Sequence, residues 1–176
     1  MTLRVFVSAA ILVAAVAAAT TNGATAPRLT VDLGTGAING HVILGKSVAQ
    51  VARSLGKPSW RMPGTRRYRL GYGDRTDFSL MIRFQKQGAA LRAVAVAFER
   101  QPLFERRIGM NVLAMTPRAF QSAVARSYGA GFTVATRLRC ARQMCSLTLR
   151  SSDSDRRVTF GTTKSLGAFL TIWVAG

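Results

Sequence analysis

The chain has 176 residues, with 25 Lys and Arg against 7 Asp and Glu, a formal charge of +18. Its hydrophobic share of 48% is enough for a core, so the charge does not make it a disordered polycation. The length leaves no room for a barrel enzyme or a full dinucleotide-binding enzyme, and one His with two Cys excludes most metal sites built on those ligands.

A basic start, Met1 to Arg4, precedes the apolar run VFVSAAILVAAVAAA over 5–19 and a small polar stretch, TTNGATAP. That three-part order predicts a secretory signal peptide over 1–19, with small residues at Ala17 and Ala19 before the cut. The run is too short to cross a bilayer comfortably, which takes about 20 residues. A flexible segment is expected over 20–38, then a first unit over 39–105 and a second over 106–176. Ser47 to Leu55 reads as a short helix with Val48, Val51, Ala52 and Leu55 on one face, stopped by Gly56 and Pro58. Alternation predicts strands at 68–72, 78–84 and 91–98, with turns at Gly73-Asp74 and Gln87-Gly88. Thr116 and Pro117 open a second helix running to Tyr128, ended by Gly129 and Gly131. Further strands are expected at 132–140, 145–150, 157–161 and 168–174. QVARSLGK at 50–57 and AVARSYGA at 123–130 agree at five of eight positions, 73 residues apart. The fold class expected is α+β: two tandem units, each of one or two short helices packed on a three- to four-stranded antiparallel sheet. One face of each sheet is then open.

Cys140 and Cys145, in RCARQMC, suit a disulfide across a tight turn in an exported chain. A zinc half-site there would need two more ligands, which His41 alone does not supply.

The string ILGKSVAQVARSLGKP, then YRLGYG, then a strand pair ending in AVAVAF, resembles the β-lactamase inhibitory protein superfamily, which includes the small lipoprotein of the outer-membrane barrel assembly machinery. Leu44, Gly45, Ser47, Val51, Leu55, Gly56 and Pro58 match its signature; Met115, Thr116, Val124, Tyr128 and Gly129 match more loosely, without the Pro. The tandem arrangement and the absence of a lipidation Cys are closer to the inhibitor. The resemblance implies that an open sheet face binds another protein.

No catalytic constellation stands out, and the chain is expected not to be an enzyme. His41 has no nucleophile motif near it; a triad assembled in space would make a small secreted hydrolase the lowest-ranked alternative. Asp153 and Asp155, in SSDSD, and Asp74 and Asp77 read as turn chemistry. No phosphate loop occurs, and neither a cofactor nor a metal is expected.

The cations remain. Only Lys46, Lys57, Lys86 and Lys164 are Lys, and the rest are Arg, which a G+C-rich coding bias would also produce. Alternation puts Arg67 and Arg69 opposite Tyr68, Leu70 and Tyr72; Arg83 with Met81 opposite Phe78, Leu80, Ile82 and Phe84; Arg137 and Arg139 opposite Thr136, Leu138 and Cys140; and Arg150 with Thr148 opposite Leu147 and Leu149. With Trp173 these make a basic, aromatic sheet face, and Arg and Trp are common interface anchors. Trp60 is expected to pack on the first helix. The expected function is a secreted, non-catalytic protein-binding module for an acidic secreted or envelope protein. The alternative is a cell-envelope binder of anionic polymers or lipid headgroups. Nucleic acid suits the charge but not the export.

Overall fold

The computed structural model describes residues 29–64, 66–75, 78–165 and 167–175. The signal peptide expected over 1–19, and residues 20–28 of the segment after it, lie outside the described residues.

The described chain opens with three short strands, β1 (Leu29–Asp32), β2 (Ala37–Ile38) and β3 (His41–Val42), and then α1 (Val48–Leu55). Ser47 caps α1: its hydroxyl accepts from the Gln50 amide while the Gln50 side chain accepts from the Ser47 amide, so two otherwise orphaned donors are satisfied. A meander follows: β4 (Trp60–Met62), β5 (Arg67–Gly73), β6 (Phe78–Gln87) and β7 (Ala90–Glu99). Two short strands, β8 (Leu103–Glu105) and β9 (Met110–Asn111), lead through a 3-10 turn to α2 (Pro117–Tyr128). Thr116 is its N-cap, and Pro117 occupies the first turn, where its missing N–H is no loss. A second meander closes the chain: β10 (Phe132–Ala141), β11 (Met144–Ser151), β12 (Arg156–Thr163) and β13 (Gly167–Val174). The repeated octapeptide covers the ends of the two helices. Val51 and Val124 are both buried, and Gly56 (φ 82) and Gly129 (φ 55) both supply the left-handed backbone of a helix end.

The α+β class with one sheet per unit is corrected. Strands take 55% of the described residues and helices 18%, in a predominantly β molecule with two sheets. The two meanders do not keep separate sheets. Ala95 to Glu99 of β7 pair antiparallel with Phe169 to Trp173 of β13, giving one eight-stranded antiparallel sheet in the order β10-β11-β12-β13-β7-β6-β5-β4. Two long strands left as edges would expose rows of unpaired N–H and C=O groups, and pairing them removes both edges. Residues 29–38, part of the segment expected to be flexible, supply β1 and β2 of a second sheet, ordered β3-β2-β1-β8-β9, in which β1 and β8 run parallel.

One hydrophobic cluster joins all of this. It holds Val31, Leu33 and Leu103 of the small sheet region, Val51 of α1, Phe120 and Val124 of α2, and the inward residues of six strands of the large sheet. The Phe120 ring stacks on Phe160 with centroids 4.5 Å apart. The helices and the small sheet thus cover one face of the eight-stranded sheet and leave the other uncovered.

Candidate interaction face

Successive side chains of a strand point to opposite faces, and β6, β11 and β12 bury alternate residues accordingly, so strand register fixes what the uncovered face carries. One row can be followed across eight strands through directly opposed residues: Met62, Arg69, Arg83, Ala95, Trp173, Arg157, Arg150 and Thr133. The next row is Trp60, Gly71, Met81, Ala97, Thr171, Thr159, Thr148 and Thr136, carrying no charge. Beyond it stand Glu99, Phe169, Gly161, Ser146 and Arg139. The face is therefore an uncharged floor, with Trp60 and Met81 at its β4–β6 end and small side chains from Ala97 to Thr136, and an arginine wall on one side.

The aromatic rings lie flat because glycines make room. A Cβ on Gly71 would fall 1.9 Å from the Trp60 indole, and one on Gly161 would fall 2.4 Å from the Phe169 ring. Trp173 Nε1 donates to Thr159 Oγ1 at 3.1 Å, and Thr159 Oγ1 lies 3.1 Å from Thr148 Oγ1. The Arg157 guanidinium sits 5.1 Å from the Trp173 ring centroid, a cation–π stack, and its buried Nε has no hydrogen-bond partner among the described residues.

Of the residues picked out by alternation, Arg69, Arg83, Arg150 and Trp173 share the wall. Arg67 stands one row further out, opposite Gln85, and Arg139 lies in the far row. Arg137 falls where the β10 register shifts between Thr136 and Arg139. That irregularity corrects the expected alternation: Thr136, expected to oppose Arg139, lies on the same face as it, because one extra residue inverts the parity beyond a bulge. Trp60 is corrected too. It lies over Gly71 on the open face, with Nε1 donating to the Asp74 carbonyl at 3.2 Å, rather than on α1. Arg157 and Met62 were not anticipated; the alternation RVTFG alone puts Arg157 opposite Val158, and it was the signal available.

The remaining candidates lie elsewhere. Cys140 and Cys145 are directly opposed on β10 and β11, with Sγ atoms at disulfide distance, 2.10 Å. His41 is exposed on β3 and lines a cleft of about 440 Å³ with Ser54, Tyr72, Ser79 and Gln101. The Tyr72 hydroxyl there donates to the Gly56 carbonyl at 3.2 Å; burial pushes its pKa up while the nearby Arg61 lowers it. In SSDSD, the Ser151 hydroxyl donates to Asp153 and holds that carboxyl below the usual carboxylate range. Among the described residues no group of three or more His, Cys, Asp or Glu could hold a metal ion, and no helix is long and apolar enough to cross a membrane.

No protein-family model matches the chain, and neither a curated protein nor a solved structure is significantly similar to it.

Proposed function

We propose that the chain is a non-catalytic binding module that docks an acidic protein on the uncovered face of its eight-stranded sheet. The observation that carries the reading is the wall itself: four arginines and a tryptophan in register, beside an uncharged floor. Arg and Trp dominate interface energetics, and Met62 and Met81 add adaptable apolar contact. The forked guanidinium suits carboxylates, and the field of a +18 chain would accelerate the encounter. The superfamily resemblance points the same way, toward a protein ligand held on a sheet. The leader pattern at 1–19 supports a partner outside the cytoplasm, in the secreted or envelope compartment.

The test is affinity capture from culture fluid and envelope fractions at physiological salt. It compares the natural chain with Arg83→Glu/Arg157→Glu and with Arg118→Glu/Arg126→Glu, an equal charge change on exposed positions of α2. A defined protein retained by the natural chain and the α2 variant but lost from the sheet variant supports the reading. Equal loss in both variants, or retention of anionic polymer alone, overturns it in favour of a general polyanion binder.

A further inference from the structure

The charges on the wall are not evenly spaced. Arg69 stands directly opposite Arg83 on β5 and β6, and Arg150 directly opposite Arg157 on β12's other side, on β11. Like charges directly opposed on one face of an antiparallel pair destabilise it. The sheet carries this repulsion twice in one row, and among the described residues no ion pair joins any of the four arginines to a carboxylate. Arg69 Nη1 has only the Met62 sulfur, 3.9 Å away, and the buried Arg157 Nε has no partner. Two forked cations held side by side form a seat for an anion, which would relieve the repulsion and accept several charge-assisted hydrogen bonds.

Ala95 and Trp173 separate the two seats. Neighbouring strands lie about 4.8 Å apart, so the midpoints of the pairs, four strands apart, are about 19 Å apart. An extended polypeptide rises about 3.3 Å per residue, so this span is about six residues. Six is even, so both side chains leave the same side of the segment. The row of Gly71, Met81, Ala97, Thr171, Thr159 and Thr148 gives its backbone an uncharged path across the strands.

Resting on the reading of this face as a docking surface, we propose that its ligand is an extended acidic segment of the partner. The segment crosses the strands and presents one carboxylate to Arg69 and Arg83 and a second, six residues along, to Arg150 and Arg157. The residue two places after the first carboxylate lies over Ala95, the smallest side chain of the wall and itself buried, and is the place for an apolar residue. The residue two places before the second meets the Trp173 ring.

The experiment uses the full chain and labelled nine-residue synthetic peptides, read by fluorescence anisotropy at physiological salt. One peptide carries Glu at positions i and i+6 and Leu at i+2; its isomers carry the same residues with the Glu at i and i+3 or at i and i+4. The i,i+6 peptide binds about tenfold tighter than either isomer, the worth of one further charge-assisted contact. Arg83→Gln or Arg157→Gln each removes that preference, while Arg126→Gln on α2 leaves it. Near-UV circular dichroism checks that the variants keep their packing. Isomers that bind equally, a preference that survives both substitutions, or polyglutamate binding as tightly per site as the i,i+6 peptide each overturn the proposal. If the isomers bind equally but all weaken with Arg83→Gln and Arg157→Gln, the docking face stands and only the spacing fails. If neither substitution matters to any peptide, the docking face fails as well.

Discussion

Glu105 is fully buried and yet provided for, and it ties three parts of the molecule. Its carboxylate accepts from the Leu33 amide at 3.2 Å, the Ile108 amide at 2.5 Å and the Tyr128 hydroxyl. Burial, then the hydrogen bond and charge of Glu105, then the charge of Asp32 push the Tyr128 hydroxyl well above the usual tyrosine range. Tyr128→Phe leaves the carboxylate short of a donor and costs about 1–3 kcal/mol in chemical denaturation. Because the folded state holds the neutral hydroxyl, its contribution is whole below the ordinary tyrosine pKa of about 10 and is lost as pH rises toward the raised value. Stability of the natural chain therefore falls more steeply above pH ~10 than that of Tyr128→Phe. The two face glycines make a contrasting pair. Gly161→Ala meets the Phe169 ring at 2.4 Å and the Cys145 carbonyl oxygen at 2.8 Å, and the carbonyl is backbone that cannot swing away. It costs about 1–3 kcal/mol. Gly71→Ala meets only the Trp60 ring, which can leave, so it loosens Trp60, seen as altered tryptophan fluorescence, with a smaller loss of stability. Neither role was legible beforehand: Gly71 fell within an alternating run, and Glu105 draws its partners from Leu33 and Tyr128, 72 and 23 residues away.

At the scale of elements, both helices and seven of the strands were legible, since each has a cap, a stop or a clear period over several residues. Ser47, Gly56, Thr116 and Gly129 mark helix ends within a residue of where they occur. The strands of the small sheet were not. Two to four residues are too few to establish a period, and β1 finds its parallel partner β8 only through Leu29 to Val31 meeting Leu103 to Glu105. The face residues on β5, β6, β11 and β13 followed from alternation, and β10 broke the rule at its register shifts. That strand is the long exposed edge of the large sheet, and bulges with arginines are common guards of such an edge against pairing with another chain. The Cys140–Cys145 link near its end closes a loop of only a few residues, worth about 2 kcal/mol at most on a chain-entropy account. Reduction, or Cys140→Ser/Cys145→Ser, therefore lowers the denaturation midpoint by no more than that and leaves the arginine wall able to bind. A collapse of folding on reduction would contradict this.

For the whole molecule, the tandem order of helix and meander is visible in the chain, but the seam between the meanders is not. Nothing in AVAVAF or AFLTIWV says which strand edge each will meet. The seam, together with a cluster that spans both sheets and both helices, makes unfolding one event. Circular dichroism and tryptophan fluorescence should trace one coincident denaturant transition, and a fragment of residues 39–105, stripped of β13 and of β1 and β9 of the small sheet, should not fold alone. Two separated transitions would restore independent units. The excess of positive charge gains a meaning at this scale too, because register gathers arginines from both halves of the chain into one row around Trp173. Hydroxyl-radical footprinting of the chain with the acidic partner proposed for it, once captured, tests that most directly. The account predicts protection of Met62, Met81 and Trp173 with Met110, exposed on the small sheet, still oxidised. Protection of Met110 with the three face residues unchanged would contradict it.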